Sequence, residues 1–181
     1  MFKLAVLGLL ILAVSWLAPK IAKETIYPKD YENDVSTYSA EYHIDENFVF
    51  AVVKTESNFN ADAQSDVGAV GLMQIMEIAF VSVRDDLMKD DRGLTYADMK
   101  TPAYNIQYGT FYLAYLHDYF GSYELAAAAY HAGITAVNGW IADGKIDPHN
   151  FKLEDIPGET TRHYVKKVMR AYHAYSNLYD E

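Results

Sequence analysis

From Tyr31 almost to its end, this 181-residue chain sets apolar residues at helical spacing, and strict strand alternation is nearly absent. That periodicity allows one fold class, an all-α compact helical domain. The breakers divide it. Tyr31–Tyr42 reads as a first helix, and Asp45 as the N-cap of a second that runs to about Ser57, with Ile44 and Val49 as its hydrophobic staple. Ala61–Gly71, rich in Asp, Ser and Gly, reads as loop. A short helix is expected at Leu72–Met76, then an apolar segment to Leu87 in which only Phe80–Val83 is ambiguous. Asp85–Thr95 reads as a charged loop. Thr101-Pro102 starts a helix, with a capping hydroxyl and Pro at the first position, and Gly121 ends it. Ser122–Gly133 follows with its alanine run, then Thr135–Asp143, closed by Gly144. A last helix spans about Thr160–Tyr179.

Ahead of this domain lies an apolar run from Leu4 to Ala18, broken only by Ser15 and followed by Pro19-Lys20. A helix from Met1 to about Ala22 would be roughly 33 Å long, with lysines near both ends to snorkel. Trp16 sits where a signal-peptide cleavage site needs a small residue, which favours a retained single-pass membrane anchor over a cleaved signal. Both readings divide the chain into an anchor or signal segment, 1–23, and one domain, 24–181, outside the cytoplasm. Residues 19–30 would be the polar linker between them.

The formal net charge is -10, and without the three lysines of the first 23 residues it is -13. So acidic a domain is a poor partner for nucleic acid or an anionic lipid surface, and suits a neutral or cationic polymer. With no cysteine, thiol nucleophiles and Cys-ligated zinc are excluded, and the six histidines have no metal-ligand spacing. Asp85, Asp86, Asp90 and Asp91 lack the glycine and closing Glu of a calcium loop, so a solvated acidic loop is expected there. No metal and no cofactor is expected.

One carboxylate stands out. Val49, Val52, Val53 and Glu56 share a helix face, the one the second helix must bury. Desolvation and the negative helix end would both raise the pKa of Glu56, as a general acid requires. The alternative is a structural Glu in a buried ion pair. The residues after it bear on that choice. Glu56-Ser-Asn-Phe-Asn-Ala-Asp-Ala-Gln-Ser65-Asp-Val-Gly68-Ala-Val-Gly71-Leu-Met-Gln74-Ile-Met76 resembles the signature of soluble lytic transglycosylase catalytic domains, the goose-lysozyme-like family. Ala129-Tyr130-His131-Ala132-Gly133 and Glu159-Thr160-Thr161-Arg162-His163-Tyr164-Val165 resemble two further blocks of that family, in its order.

The resemblance covers roughly residues 30–175 and implies a lysozyme-like domain acting on peptidoglycan glycan strands, with Glu56 as sole catalytic acid and base. It implies Ser65 and Gln74 as hydrogen-bonding partners of the sugar and its acetamido group, Met76 as a cleft wall, Tyr130 as an orienting group and Glu159 as a weaker substrate contact. Glu77 replaces the family's usual proline, Ala79 its threonine and His131 an asparagine, and an extra threonine precedes Arg162. His131 thereby adds a titrating group beside the site. Tyr112, Tyr115 and Tyr119 fall at helical spacing and read as packing, and Arg162, Lys166, Lys167 and Arg170 as a solvated helix face.

The family's reaction cleaves the β-1,4 bond between N-acetylmuramic acid and N-acetylglucosamine and leaves 1,6-anhydro ends. Two other readings stay open: a lysozyme-type hydrolase on the same fold, and a catalytically weak wall-binding or scaffolding module, favoured by the substitutions at Glu77, Ala79 and His131 but opposed by the presence of Glu56, Ser65 and Gln74.

Overall fold

A computed structural model describes Leu17 and residues 20–180. Its helices are α1 (Glu32–Glu41), α2 (Glu46–Ser57), α3 (Glu77–Val81), α4 (Pro102–Phe120), α5 (Tyr123–Ala132), α6 (Ile134–Ala142) and α7 (Glu159–Tyr179). The described residues thus form an all-α domain, with two isolated β-bridges at Val70.

Helix α2 is its axis. Asp45 caps it, accepting from the Asn47 N–H at 2.8 Å, and Asn58 ends it in the left-handed conformation. The expected apolar stripe is broader than its spacing implied, because every side chain from Asn47 to Val53 is buried. The long α7 packs along α2, while α5 packs against both α4 and α7. Ala126 to Ala129 are wholly buried, and their small side chains let these three helices approach closely. Two tyrosines of α7 tie it to α2 at both ends. Tyr172 Oη donates to the capping carboxylate of Asp45 at 2.7 Å, and Tyr164 Oη donates to Glu56 Oε1 at 2.7 Å.

Several expectations need correction. Leu72–Met76 is a turn, because Gly71 and Gln74 both take positive φ. Val70 and Ile75 exchange both backbone hydrogen bonds across it, closing a loop too tight for helix. The first four residues of the expected loop Asp85–Thr95 are wound into a π-helical segment, Ser82–Met88, continuous with α3. Asp90 is not solvated: its carboxylate is buried between Arg92 and the Tyr108 hydroxyl, and the guanidinium holds it well below the usual carboxylate range. Thr101 starts α4 without its hydroxyl capping the helix, whereas Ser122 does cap α5, accepting from the Leu125 N–H at 3.3 Å.

The linker is also more fixed than its composition suggests. Tyr179 Oη donates to the Tyr27 carbonyl at 2.8 Å, and Tyr175 Oη to that of Pro28 at 2.8 Å. Lys29 pairs with Glu46 at 2.7 Å. The expected anchor lies almost wholly outside the described residues, and no helix among those described is long and apolar enough to cross a membrane.

Candidate active site

Glu56 is the last residue but one of α2, so a buried helix fixes its backbone while its carboxyl reaches the wall of a cavity of about 530 Å³. Around it stand Thr55, His131, Glu159, Thr160, His163, Tyr164 and Lys167. Burial pushes the Glu56 carboxyl up to about 7, against the opposing pull of the Tyr164 hydrogen bond and the Lys167 charge. Among the described residues no cation pairs with it within 4.0 Å, which removes the buried ion pair that would have made it structural.

Of the remaining residues expected from sequence, all but Ser65 line one of two cavities. His131 and Glu159 share the cavity of Glu56. His131 Nδ1 lies 3.2 Å from the buried Thr161 hydroxyl, and its ring lies over Tyr164 with centroids 4.6 Å apart. Desolvation lowers the imidazole pKa, which favours a neutral ring near pH 7. Glu159 is exposed at the first turn of α7.

Gln74, Met76 and Tyr130 instead line a second, narrow hollow of about 50 Å³, with Phe80, Tyr108 and Tyr112. Tyr130 Oη donates to the Met73 carbonyl at 2.8 Å. Burial, with the Glu56 carboxyl close by, holds this phenol well above its ordinary pKa, so it stays protonated. Gln74 uses its amide N–H groups on the carbonyls of Ala63 and Gly71, at 3.1 and 2.9 Å, which leaves only its carbonyl oxygen for a ligand. Ser65 lines neither cavity, and its hydroxyl accepts from the Ala69 N–H at 2.9 Å within its own turn.

Three residues of these walls had other readings in the sequence. Tyr164 falls within a quoted motif but its bond to Glu56 spans 108 positions, so no local spacing reveals it. Tyr112 lines the narrow hollow beside Tyr130, ring centroids 5.7 Å apart, as well as packing. Lys167 faces the Glu56 cavity rather than forming only a solvated stripe.

Asn105, wholly buried on α4, holds the loop that carries Gln74 and Met76. Its Oδ1 accepts from the Met73 N–H at 2.7 Å, and its Nδ2 donates to the carbonyls of Val70 and Met99 at 2.9 and 2.8 Å. Gly71 makes room for it, since a Cβ there would lie 2.7 Å from Asn105 Cγ, and its φ of +77° also favours glycine. Among the described residues, no three His, Asp or Glu side chains gather as metal ligands.

The arrangement offers one proton that a buried acid can give and take near neutral pH, beside a groove with aromatic walls. Comparison with known proteins bears on what lies in that groove. The family described as Transglycosylase SLT domain matches residues 35–150. The soluble lytic murein transglycosylase of Salmonella typhimurium is 38% identical over 84% of this chain and 24% of its own length. The membrane-bound lytic murein transglycosylase C of Salmonella arizonae is 33% identical over 80% of this chain and 46% of its own. The crystal structure of the 70 kDa soluble lytic transglycosylase of Escherichia coli superposes with a TM-score of 0.75 and 32% identity, covering 83% of this chain and 25% of that one. The complex of the 70 kDa soluble lytic transglycosylase with bulgecin A gives 0.77 and 30%, covering 86% and 25%. The chain therefore spans about a quarter of the length of these soluble relatives.

Proposed function

The chain belongs to the SLT transglycosylase domain family, and from that premise we propose that it is a peptidoglycan lytic transglycosylase with Glu56 as its single acid and base. The observation that carries the reading is a carboxyl whose pKa is raised to about 7 and which faces a cavity large enough for sugar rings. The family relationship supplies the substrate class, since the relatives are named as murein transglycosylases.

In this reaction protonated Glu56 delivers its proton to the glycosidic oxygen between N-acetylmuramic acid and N-acetylglucosamine. The C1–O bond breaks and C1 gains oxocarbenium character, which the substrate's own 2-acetamido oxygen relieves. Tyr164, already donating to Oε1, stabilises the carboxylate left behind. The carboxylate then takes the proton of the 6-hydroxyl as O6 bonds to C1, closing a 1,6-anhydro ring and restoring the acid. One carboxyl suffices for both steps, unlike the pair an ordinary glycosidase needs. Gln74 through its carbonyl, Met76, Tyr130 and His131 serve as substrate contacts in this proposal, with Ser65 and Glu159 at its margins. The domain works outside the cytoplasm, held at the membrane by the segment before residue 24.

One observation favours a second reading, a two-carboxylate hydrolase: Glu159 lines the same cavity. Digestion of purified sacculi separates them, because transglycosylation gives anhydro muropeptides and hydrolysis gives reducing ones heavier by one water. Anhydro products are expected in mass spectra, and an exclusively reducing digest would sink the lytic reading.

The pH dependence follows from the same carboxyl. Below about 7 Glu56 holds its proton in the folded enzyme, and above it the donor is lost. The rate on soluble glycan is therefore expected to drop above neutrality, approaching about tenfold per pH unit beyond pH 8. A rate that stays flat to pH 9 would show that another group supplies the proton.

A further inference from the structure

Resting on the lytic reading, we propose that His131 is a positioning residue, whose ring, fixed by Thr161, holds the Tyr164 phenol in hydrogen-bonding register with Glu56. The end of α5 supplies the site with two neighbouring side chains that do different work. Tyr130 is tied to the Met73 carbonyl, whereas His131 turns to α7 and meets two residues one turn apart on its surface, Thr161 and Tyr164. Its Nδ1 lies 3.2 Å from Thr161 Oγ1, and its ring is tilted 31° over the phenol, centroids 4.6 Å apart. The contact with Thr161 suits either tautomer, because a hydroxyl both donates and accepts.

The phenol needs such a support. Tyr164 Oη donates to Glu56 Oε1 at 2.7 Å, and a bond of this kind stabilises a carboxylate only while the donor stays aligned. The ring that carries the hydroxyl stands at the wall of the open cavity, with His131 over one of its faces. Without the imidazole the phenol gains room to swing toward the cavity, where water competes for its proton. The bond pulls the Glu56 pKa down, so its loss has two effects of opposite sign. The acid keeps its proton to higher pH, while the carboxylate left after proton transfer is less well stabilised and the plateau rate falls.

A charge on His131 would be a different route to Glu56. The titratable groups that line the cavity with His131 are Glu56 on α2 and Glu159, His163, Tyr164 and Lys167 on α7. Desolvation lowers the imidazole pKa from an ordinary 6.5, so the ring is mostly neutral across the alkaline range in which Glu56 loses its proton. Its hold on the acid in that range runs through the place it gives Tyr164.

The test is a double-mutant cycle read on the pH profile of kcat/KM, whose alkaline limb reports the acid of the free enzyme. A lost substrate contact lowers such a profile without moving its limb. Tyr164→Phe is expected to move the limb up by about one pH unit and His131→Ala by about half a unit, each with a lower plateau. In the Tyr164→Phe background, His131→Ala is expected to move it no further. His131→Phe, which keeps a ring over the phenol, should keep the wild-type limb, and His131→Asn, which keeps only a partner for Thr161, should shift it as alanine does. An unmoved limb in both His131→Ala and His131→Asn, or shifts that add in the double variant, would overturn the proposal. A second arm reads Glu56 without substrate, from the NMR titration of its isotope-labelled carboxyl, assigned by its loss in Glu56→Gln. If the wild type releases no anhydro product from sacculi, the lytic reading fails. His131 is then judged by this arm alone, where a Glu56 titration that neither His131 variant changes overturns its role.

Discussion

Replacing Glu56 by glutamine is expected to lower glycan cleavage by about 10³-fold while leaving glycan affinity within a factor of a few. Glutamine keeps the shape and can still accept the Tyr164 hydrogen bond, so the cavity survives while the transferable proton is lost. Stability gives an internal control. The carboxyl rises from an ordinary 4.5 to about 7 on folding, so the folded state is the stronger proton binder. Its contribution is fully present below pH 4.5 and is lost as pH climbs through 7, a difference of about 3 kcal/mol. Glutamine cannot ionise. The variant should therefore unfold at a higher temperature than wild type at pH 8, and at nearly the same temperature at pH 4. A variant that loses activity but gains no stability at pH 8 would show that Glu56 is not held in a desolvating site. One that keeps more than a tenth of the wild-type rate would show that the catalytic proton has another source.

The position of Glu56 was legible because two signals coincided there: an apolar helical face that ends in a carboxylate, and the polar loop with its two glycines. What surrounds Glu56 was less legible, because spacing along one helix says which side chains share a face but not which faces meet. Tyr164 reaches Glu56 only because α7 packs along α2. Lys167 looked like a solvent-facing charge for the same reason, since the helix that forms the other wall of its cavity lies more than a hundred residues earlier.

The turn at Leu72–Met76 was hidden differently. Leu72, Met73, Ile75 and Met76 fit a helical pattern, and the positive φ of Gln74 is a conformation its residue type disfavours. Tertiary bonds overrule both. Gln74 is held there by its own side chain on Ala63 and Gly71, and Tyr96 Oη shares its proton between the carbonyls of Gly68 and Ile75. Residues 19–30 looked like linker from their breakers and charges, yet tyrosines near the end of α7 seize their carbonyls. In each case the partner that decides the conformation is remote in sequence.

Asn105 concentrates this dependence in one side chain, and Asn105→Ala is expected to destabilise the domain by about 4 kcal/mol. The amide satisfies one N–H and two carbonyls at a site with no access to water. Alanine would leave all three unpaired, each at a cost of about 1–3 kcal/mol, beside a space that Gly71 keeps open. Water entering that space could recover part of the loss, so the estimate sits toward the lower end of the sum. Asn105→Asp separates hydrogen bonding from volume. It keeps the size and the acceptor for the Met73 N–H but turns a carboxylate toward two carbonyl oxygens, and is expected to cost at least as much. Because the loop carries Gln74 and Met76, whatever folded enzyme remains should bind glycan more weakly, with KM rising more than kcat falls. Urea denaturation of the three proteins decides the matter. A loss below about 1 kcal/mol for the alanine variant would mean that the loop is held by its apolar residues, with the amide a bystander.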